Sequence, residues 1–210
     1  TDILVTSPRK QNGLSTIEDG TMILFLNNSS TSSQFPFNSS TSKPNLAEWR
    51  QDLVANDFTG DNITDLIFTH TDQGSIKLLK NDGNASFSDN GSFTVGDLPI
   101  KIISGDWNND NQTDLAVVNR DNNSVSIINN SSGLFSLSQT LNVEEIPISI
   151  VSGDWNNDSS MDLAVLSRNS NLVQILINNG SGFFNISDAT TSVGSFPADM
   201  IAGDWNCDSK

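Results

Sequence analysis

An all-β fold of β-propeller-type, four-stranded blades is what the sequence predicts, on three observations. They are four internal repeats of about fifty residues, an acidic loop in each repeat, and short strand-like runs between polar turns. The repeat shows directly in GDWNNDNQTDLAVVN from Gly105, GDWNNDSSMDLAVLS from Gly153 and GDWNCDSK from Gly203. NDFTGDNITDLIFT from Asn56 is a more divergent copy. The leading aspartates Asp57, Asp106, Asp154 and Asp204 are 49, 48 and 50 residues apart, a period that suits a propeller blade and exceeds that of helical solenoids.

Within one period each strand has its own signal. Pro99 introduces the apolar run Ile100–Ser104, and proline suits the first residue of a strand. After the acidic loop, Leu115–Val118 forms a second apolar run. Asp121-Asn122-Asn123 reads as a turn, and Ser124–Ile128 then alternates polar and apolar as a half-buried strand does. A second turn at Ser131-Ser132-Gly133 leads into Phe135–Val143, which alternates as an outer strand. Pro99, Pro147 and Pro197 are equivalent, with Trp49, Leu98, Ile146 and Phe196 at the matching apolar position before them or before Arg50. Phe58, Trp107, Trp155 and Trp205 recur once per repeat, and packing between neighbouring blades is their expected role.

The whole chain, 1–210, reads as a single repeat domain. GDWNCDSK followed by TDILVT reproduces GDWNNDSSMDLAVL without gap or overlap, so 1–45 is expected to complete the blade begun at 196–210. That shared blade forms within one ring or with a neighbouring unit. A low-complexity stretch near 29–42 reads as an insertion in it.

The acidic loops carry the chemistry. A hard cation such as calcium takes six to eight oxygens, and side chains at alternate positions of a tight loop can converge on one point. The predicted sets are Asp57, Thr59, Asp61 and Asp65 with the Ile63 carbonyl; Asp106, Asn108, Asp110 and Asp114 with the Gln112 carbonyl; and Asp154, Asn156, Asp158 and Asp162 with the Ser160 carbonyl. A fourth set joins Asp204, Asn206 and Asp208 to Asp2, with the Lys210 carbonyl. About one Ca2+ per repeat is expected. Read without a cation, the same residues are turn formers, but four recurrences in register favour ion binding.

These loops, the Asp-Leu strand after them and the Gly-x-Phe near the third turn (Gly133-Leu134-Phe135, and Ser181-Gly182-Phe183) resemble the FG-GAP/VCBS repeats of integrin α-subunit propellers and secreted adhesion proteins. The resemblance covers essentially the whole chain. It implies four-stranded blades with calcium in the loop between the first two strands, serving rigidity rather than catalysis. The family places glycine at the sixth loop position, where this chain has Asn62, Asn111, Ser159 and Ser209. Family propellers also have about seven blades, more than four repeats supply.

A net charge of −15 argues against nucleic acid as a partner, and no run approaches the length of a membrane span. Thirteen Asn-x-Ser/Thr sequons stand against roughly six expected by chance, which points to an extracellular glycoprotein. Asn84, Asn90, Asn122, Asn130, Asn179 and Asn185 are the expected sites of N-linked glycans. With one histidine, His70, expected at a solvated strand end, and no tyrosine, nucleophile–base catalysis is poorly supplied. A non-enzymatic structural or adhesion scaffold is therefore expected, or the repeating unit of a glycosylated fibre or coat, with its own copies or extracellular proteins and glycans as partners. A lectin is the alternative, and a polysaccharide-active enzyme a more distant one.

Overall fold

The computed structural model describes residues 52–84 and 86–205 together with three strands, Ile3–Thr6 (β1), Met22–Asn27 (β2) and Phe37–Ser40 (β3). The first complete blade contains β4 (Leu53–Asn56), β5 (Asp65–His70), β6 (Ser75–Asn81) and β7 (Phe87–Thr94). The second contains β8 (Pro99–Gly105), β9 (Asp114–Asn119), β10 (Ser124–Ser131) and β11 (Leu134–Asn142). The third contains β12 (Pro147–Gly153), β13 (Asp162–Ser167), β14 (Leu172–Asn178) and β15 (Phe184–Ser192). Each is an antiparallel meander with its strands in chain order, and β1-β2-β3 form a three-stranded sheet of the same kind.

The second strand of each complete blade is buried at all six residues, so it cannot alternate polar and apolar. It lies mid-sheet and both faces meet other residues, which is why Leu115–Val118 reads as an unbroken apolar run. This position corrects the expectation for His70. It is the last residue of β5 and only 5% exposed, matching buried Asn119 and Ser167 in the next two blades.

Two apolar layers join the blades. Phe58, Ile67 and Leu78 of the first blade pack on Ile102, Leu115, Val117 and Ile128 of the second. Trp107, Val118 and Ile127 of the second pack on Leu163, Val165, Leu176 and Phe184 of the third. The Trp107 and Phe184 rings meet edge to face, centroids 6.3 Å apart. The aromatic set therefore packs between blades at Phe58 and Trp107, 0% and 1% exposed, whereas Trp155 and Trp205 are 43% and 75% exposed. Gly105 and Gly153 precede their tryptophans for lack of room: a Cβ would stand 2.5 Å from the Trp107 ring and 2.8 Å from that of Trp155.

Each apolar contact has a polar partner at the end of the third strand. The Asn130 amide donates to the Phe58 carbonyl (3.0 Å), and Asn178 donates to the Trp107 carbonyl (2.9 Å). Both asparagines are buried, so each bridge is a made hydrogen bond in a place where an unmade one is costly. Opposite each stands a phenylalanine of the fourth strand, in the pairs Asn130↔Phe135 and Asn178↔Phe184. In the third blade the buried ring is thus Phe184, the Gly-x-Phe counterpart of Phe135, while Phe183 of the expected Ser181-Gly182-Phe183 is 47% exposed.

Leu98, Ile146 and Phe196, each preceding a proline, have φ of 53°, 54° and 56°. Such a conformation is unfavourable for large side chains and for residues before proline. Hydrogen bonds hold it: the Ile146 and Phe196 N–H groups donate to Asn123 and Asn171 Oδ1, at 2.9 and 2.8 Å.

Candidate metal centres

Each loop leaves the first strand of its blade and returns into the second, so the strand pairing itself brings its ends together. Gly105 opposes Asp114 and Gly153 opposes Asp162. The first aspartate then organises the turn. Asp57 accepts hydrogen bonds from the N–H groups of Gly60 and Asn62, both at 2.7 Å. Asp106 accepts from Asp110 and Asn111, and Asp154 from Asp158 and Ser159, at 2.9 to 3.1 Å. The fifth-position aspartate repeats the device two residues on, with Asp61, Asp110 and Asp158 accepting from Ile63, Gln112 and Ser160.

The closing aspartate does something the sequence reading did not foresee. Asp65, Asp114 and Asp162 are fully buried. One oxygen of each accepts from the amide of the aromatic residue, Phe58, Trp107 or Trp155, at 3.2 Å. The other accepts from the amide of the third-strand asparagine, Asn81, Asn130 or Asn178, at 2.9 Å. Each carboxylate thus ties loop to sheet; Asp65 Oδ2 also accepts from the Thr59 N–H at 3.1 Å, and the oxygen that meets the asparagine amide keeps a second lone pair for a cation.

In the first loop the carboxylates of Asp57, Asp61 and Asp65 each place an oxygen within 4.8 Å of the others. Three anionic oxygens that close fit a hard cation. Lys80 partly neutralises them through Asp61 at 2.9 Å, holding that carboxyl below its usual range. The second and third loops use an amide instead: Asn108 and Asn156 Nδ2 donate to Asp110 and Asp158, at 3.1 and 2.7 Å. The Ser160 N–H, aided by Asn156, holds the Asp158 carboxyl low. Asp204 is among the described residues, but Asn206, Asp208, Lys210 and Asp2 lie outside them. So do most of 1–45 and part of the expected insertion.

At the sixth loop position Asn62, Asn111 and Ser159 have φ of 64°, 64° and 70°. That is the left-handed conformation that glycine adopts freely, asparagine less so and serine least. Replacing Ser159 with glycine is expected to stabilise the protein by about 1 kcal/mol, and Asn111→Gly by less. Denaturant melts of both variants check this.

Asp114 supplies a pH test. Burial, and after it the charges of Asp110 and Asp106, push its carboxyl up from 3.8 to about 6, against the amides of Asn130 and Trp107, which lower it. Its pKa is higher folded than unfolded, so the folded state holds the proton more tightly. For this group stability falls as pH rises from about 4 through about 6, and returns on acidification. The metal-free protein is therefore expected to melt higher at pH 5 than at pH 7, and Asp114→Asn should flatten that difference. The depressed carboxyls of Asp61 and Asp158 oppose this only below the ordinary carboxylate range.

The expected glycan sites divide. Asn84, Asn90, Asn179 and Asn185 are exposed, on β7, β15 or the turns before them. Asn122 is exposed but its carboxamide is engaged at both ends with Asp97. Asn130 corrects the expectation: it is 3% exposed and its amide is spent on Phe58, so a glycan there would break the bridge between blades.

A family model described as an FG-GAP-like repeat matches residues 57–117 and 106–165. No curated protein matches the chain. Among solved structures, a protein from Lactobacillus plantarum matches with TM-score 0.62 and 13% identity, over 95% of this chain and 55% of its own. The periplasmic gluconolactonase of Pseudomonas aeruginosa gives 0.60 and 15%, over 85% and 50%. A functionally unknown protein from Desulfotomaculum acetoxidans gives 0.57 and 15%, over 81% and 49%. The chain spans about half the length of these structures, and at such identities the likeness is one of fold.

Proposed function

The chain belongs to the FG-GAP-like repeat family, and from that premise we propose that it is a non-catalytic propeller module, stabilised by calcium, that serves as an extracellular structural or adhesion scaffold. The observation carrying this reading is the acidic loop repeated in three successive blades. Each has its first and fifth aspartates organising the turn and a buried closing aspartate tying it to the sheet. The residues that would hold the cation are those at loop positions one, three, five and nine with the position-seven carbonyl, and the ion would neutralise charges that otherwise repel. An oxygen-only donor set suits calcium better than zinc or copper.

The module would carry N-linked glycans at Asn84, Asn90, Asn179 and Asn185, on its outer edge and turns, leaving the contacts between blades free. No helix among the described residues is long and apolar enough to cross a membrane. Isothermal titration with calcium tests the reading, with about one ion per intact loop expected and no heat of binding overturning it. Intact mass of natively produced protein, before and after an amide-cleaving glycosidase, is expected to fall; an unchanged mass removes the glycoprotein part. Specific retention on a glycan array would favour the lectin reading instead.

A further inference from the structure

The outer strands of neighbouring blades meet differently at the two junctions. Between the second and third blades, Gln139 of β11 fills the space. Its Nε2 donates to the Phe184 carbonyl at 2.7 Å, and its Oε1 accepts from the Phe184 N–H at 2.9 Å. Between the first and second blades the corresponding residue is Gly91. It lies three residues before Thr94, which opposes Ser75, as Gln139 lies three before Asn142, which opposes Ser124. Phe135 opposes Asn130 as Phe184 opposes Asn178, so Phe135 has a glycine where Phe184 has a carboxamide.

That difference leaves a cavity of about 180 Å³ between the first two blades. Its floor is apolar, made by Ile76, Leu78, Phe93 and Phe135, and Leu134 stands on its rim 77% exposed. A Cβ on Gly91 would meet nothing within 4 Å. Asn90-Gly91-Ser92 forms the remaining wall, and it is a glycosylation sequon whose asparagine is exposed. The β6–β7 ladder steps from Lys77↔Ser92 to Leu79↔Asp89, so Asn90 and Gly91 share one place opposite Leu78. A bulge of this kind re-aims the side chain it carries.

We propose that the first sugar of a glycan on Asn90 lies in this cavity instead of standing free in solvent, and that it seals the outer seam between the first two blades as Gln139 seals the next. The first residue of an N-linked glycan is an N-acetylhexosamine. Its ring offers a C–H face to Phe93, Phe135 and Leu134, which removes their apolar surface from water. Its acetamido group brings an amide to the Phe135 backbone, the kind of group that Gln139 brings to Phe184. Attachment at the rim makes the encounter intramolecular, so a contact too weak to hold a free sugar suffices here. The inference rests on the glycoprotein reading given above and not on calcium.

Thermal melts of the full chain made in a glycosylating host and in bacteria test it, with glycopeptide masses giving the occupancy of Asn90. In protein from the glycosylating host, Asn90→Gln and Ser92→Ala are each expected to lower the midpoint by about 4 °C. In the bacterial protein both should leave it unchanged. Trimming every glycan to its first sugar should keep the gain, and Leu134→Ala should reduce it in the glycosylated protein alone. An occupied Asn90 whose loss leaves the midpoint unmoved overturns the proposal. So does a shift of equal size in the bacterial protein, or a gain that disappears on trimming. A bare Asn90 beside occupied sequons overturns it too and leaves the glycoprotein reading standing, whereas sugar at no sequon overturns both.

Discussion

Replacing Trp107 with alanine is expected to cost about 3–5 kcal/mol and to lower the melting temperature on the order of 10 °C. The ring is 1% exposed, lies over Gly105 and meets Phe184 edge-on, so its removal empties the centre of the layer between the second and third blades. Trp107→Phe is expected to cost far less. The first blade already uses Phe58 here, and the Trp107 indole N–H is buried without a partner, so its loss forfeits no hydrogen bond. Trp155→Ala, at a 43% exposed position, should cost the isolated monomer less than Trp107→Ala. Equal losses at Trp107 and Trp155 would contradict the burial gradient.

Removing calcium is expected to have the other large effect. An ion at a hundredfold excess over its dissociation constant adds about 2.7 kcal/mol per site, so three complete loops together shift the melt on the order of 20 °C. Thermal melts with excess calcium and with chelator measure this, and coincident midpoints would sink the metal assignment. Asp110→Ala should remove one ion from the stoichiometry and loosen the second blade. Ser138, exposed on β11, is the control whose replacement should do neither.

The blades were legible because their signals are local. Pro99, the Asp121-Asn122-Asn123 turn and the polar–apolar run Ser124–Ile128 locate strands that the structure places at Pro99–Gly105 and Ser124–Ser131, although Ser124–Ile128 is buried throughout rather than half-buried as its alternation predicted. What escaped was set by the neighbouring blade. His70 looks like a polar strand end and is buried because every second strand is enclosed on both faces. Asn130 looks like a sequon and is a bridge to Phe58. Its signal was present as an asparagine at the same place in all four repeats, at Asn27, Asn81, Asn130 and Asn178, of which only Asn27 and Asn130 open a sequon. The closing aspartates looked like ligands alone, since nothing local tells that their oxygens meet amides sixteen residues away. The left-handed Ile146 could not be read at all, because a β-branched residue before proline argues for an extended backbone.

The strand order has a consequence for how such a chain is made and how it evolves. Among the described residues each complete blade is assembled from strands consecutive in sequence, and hydrogen bonds join the first to the second and the second to the third. Loop closure is therefore short at every step, and a blade can form on the one before it as the chain leaves the ribosome. For the same reason an in-frame duplication of about fifty residues adds a complete blade, bringing its own asparagine for the carbonyl behind and its own aromatic for the blade ahead. Lengthening the gene by one repeat adds a blade to the array without rewiring any sheet.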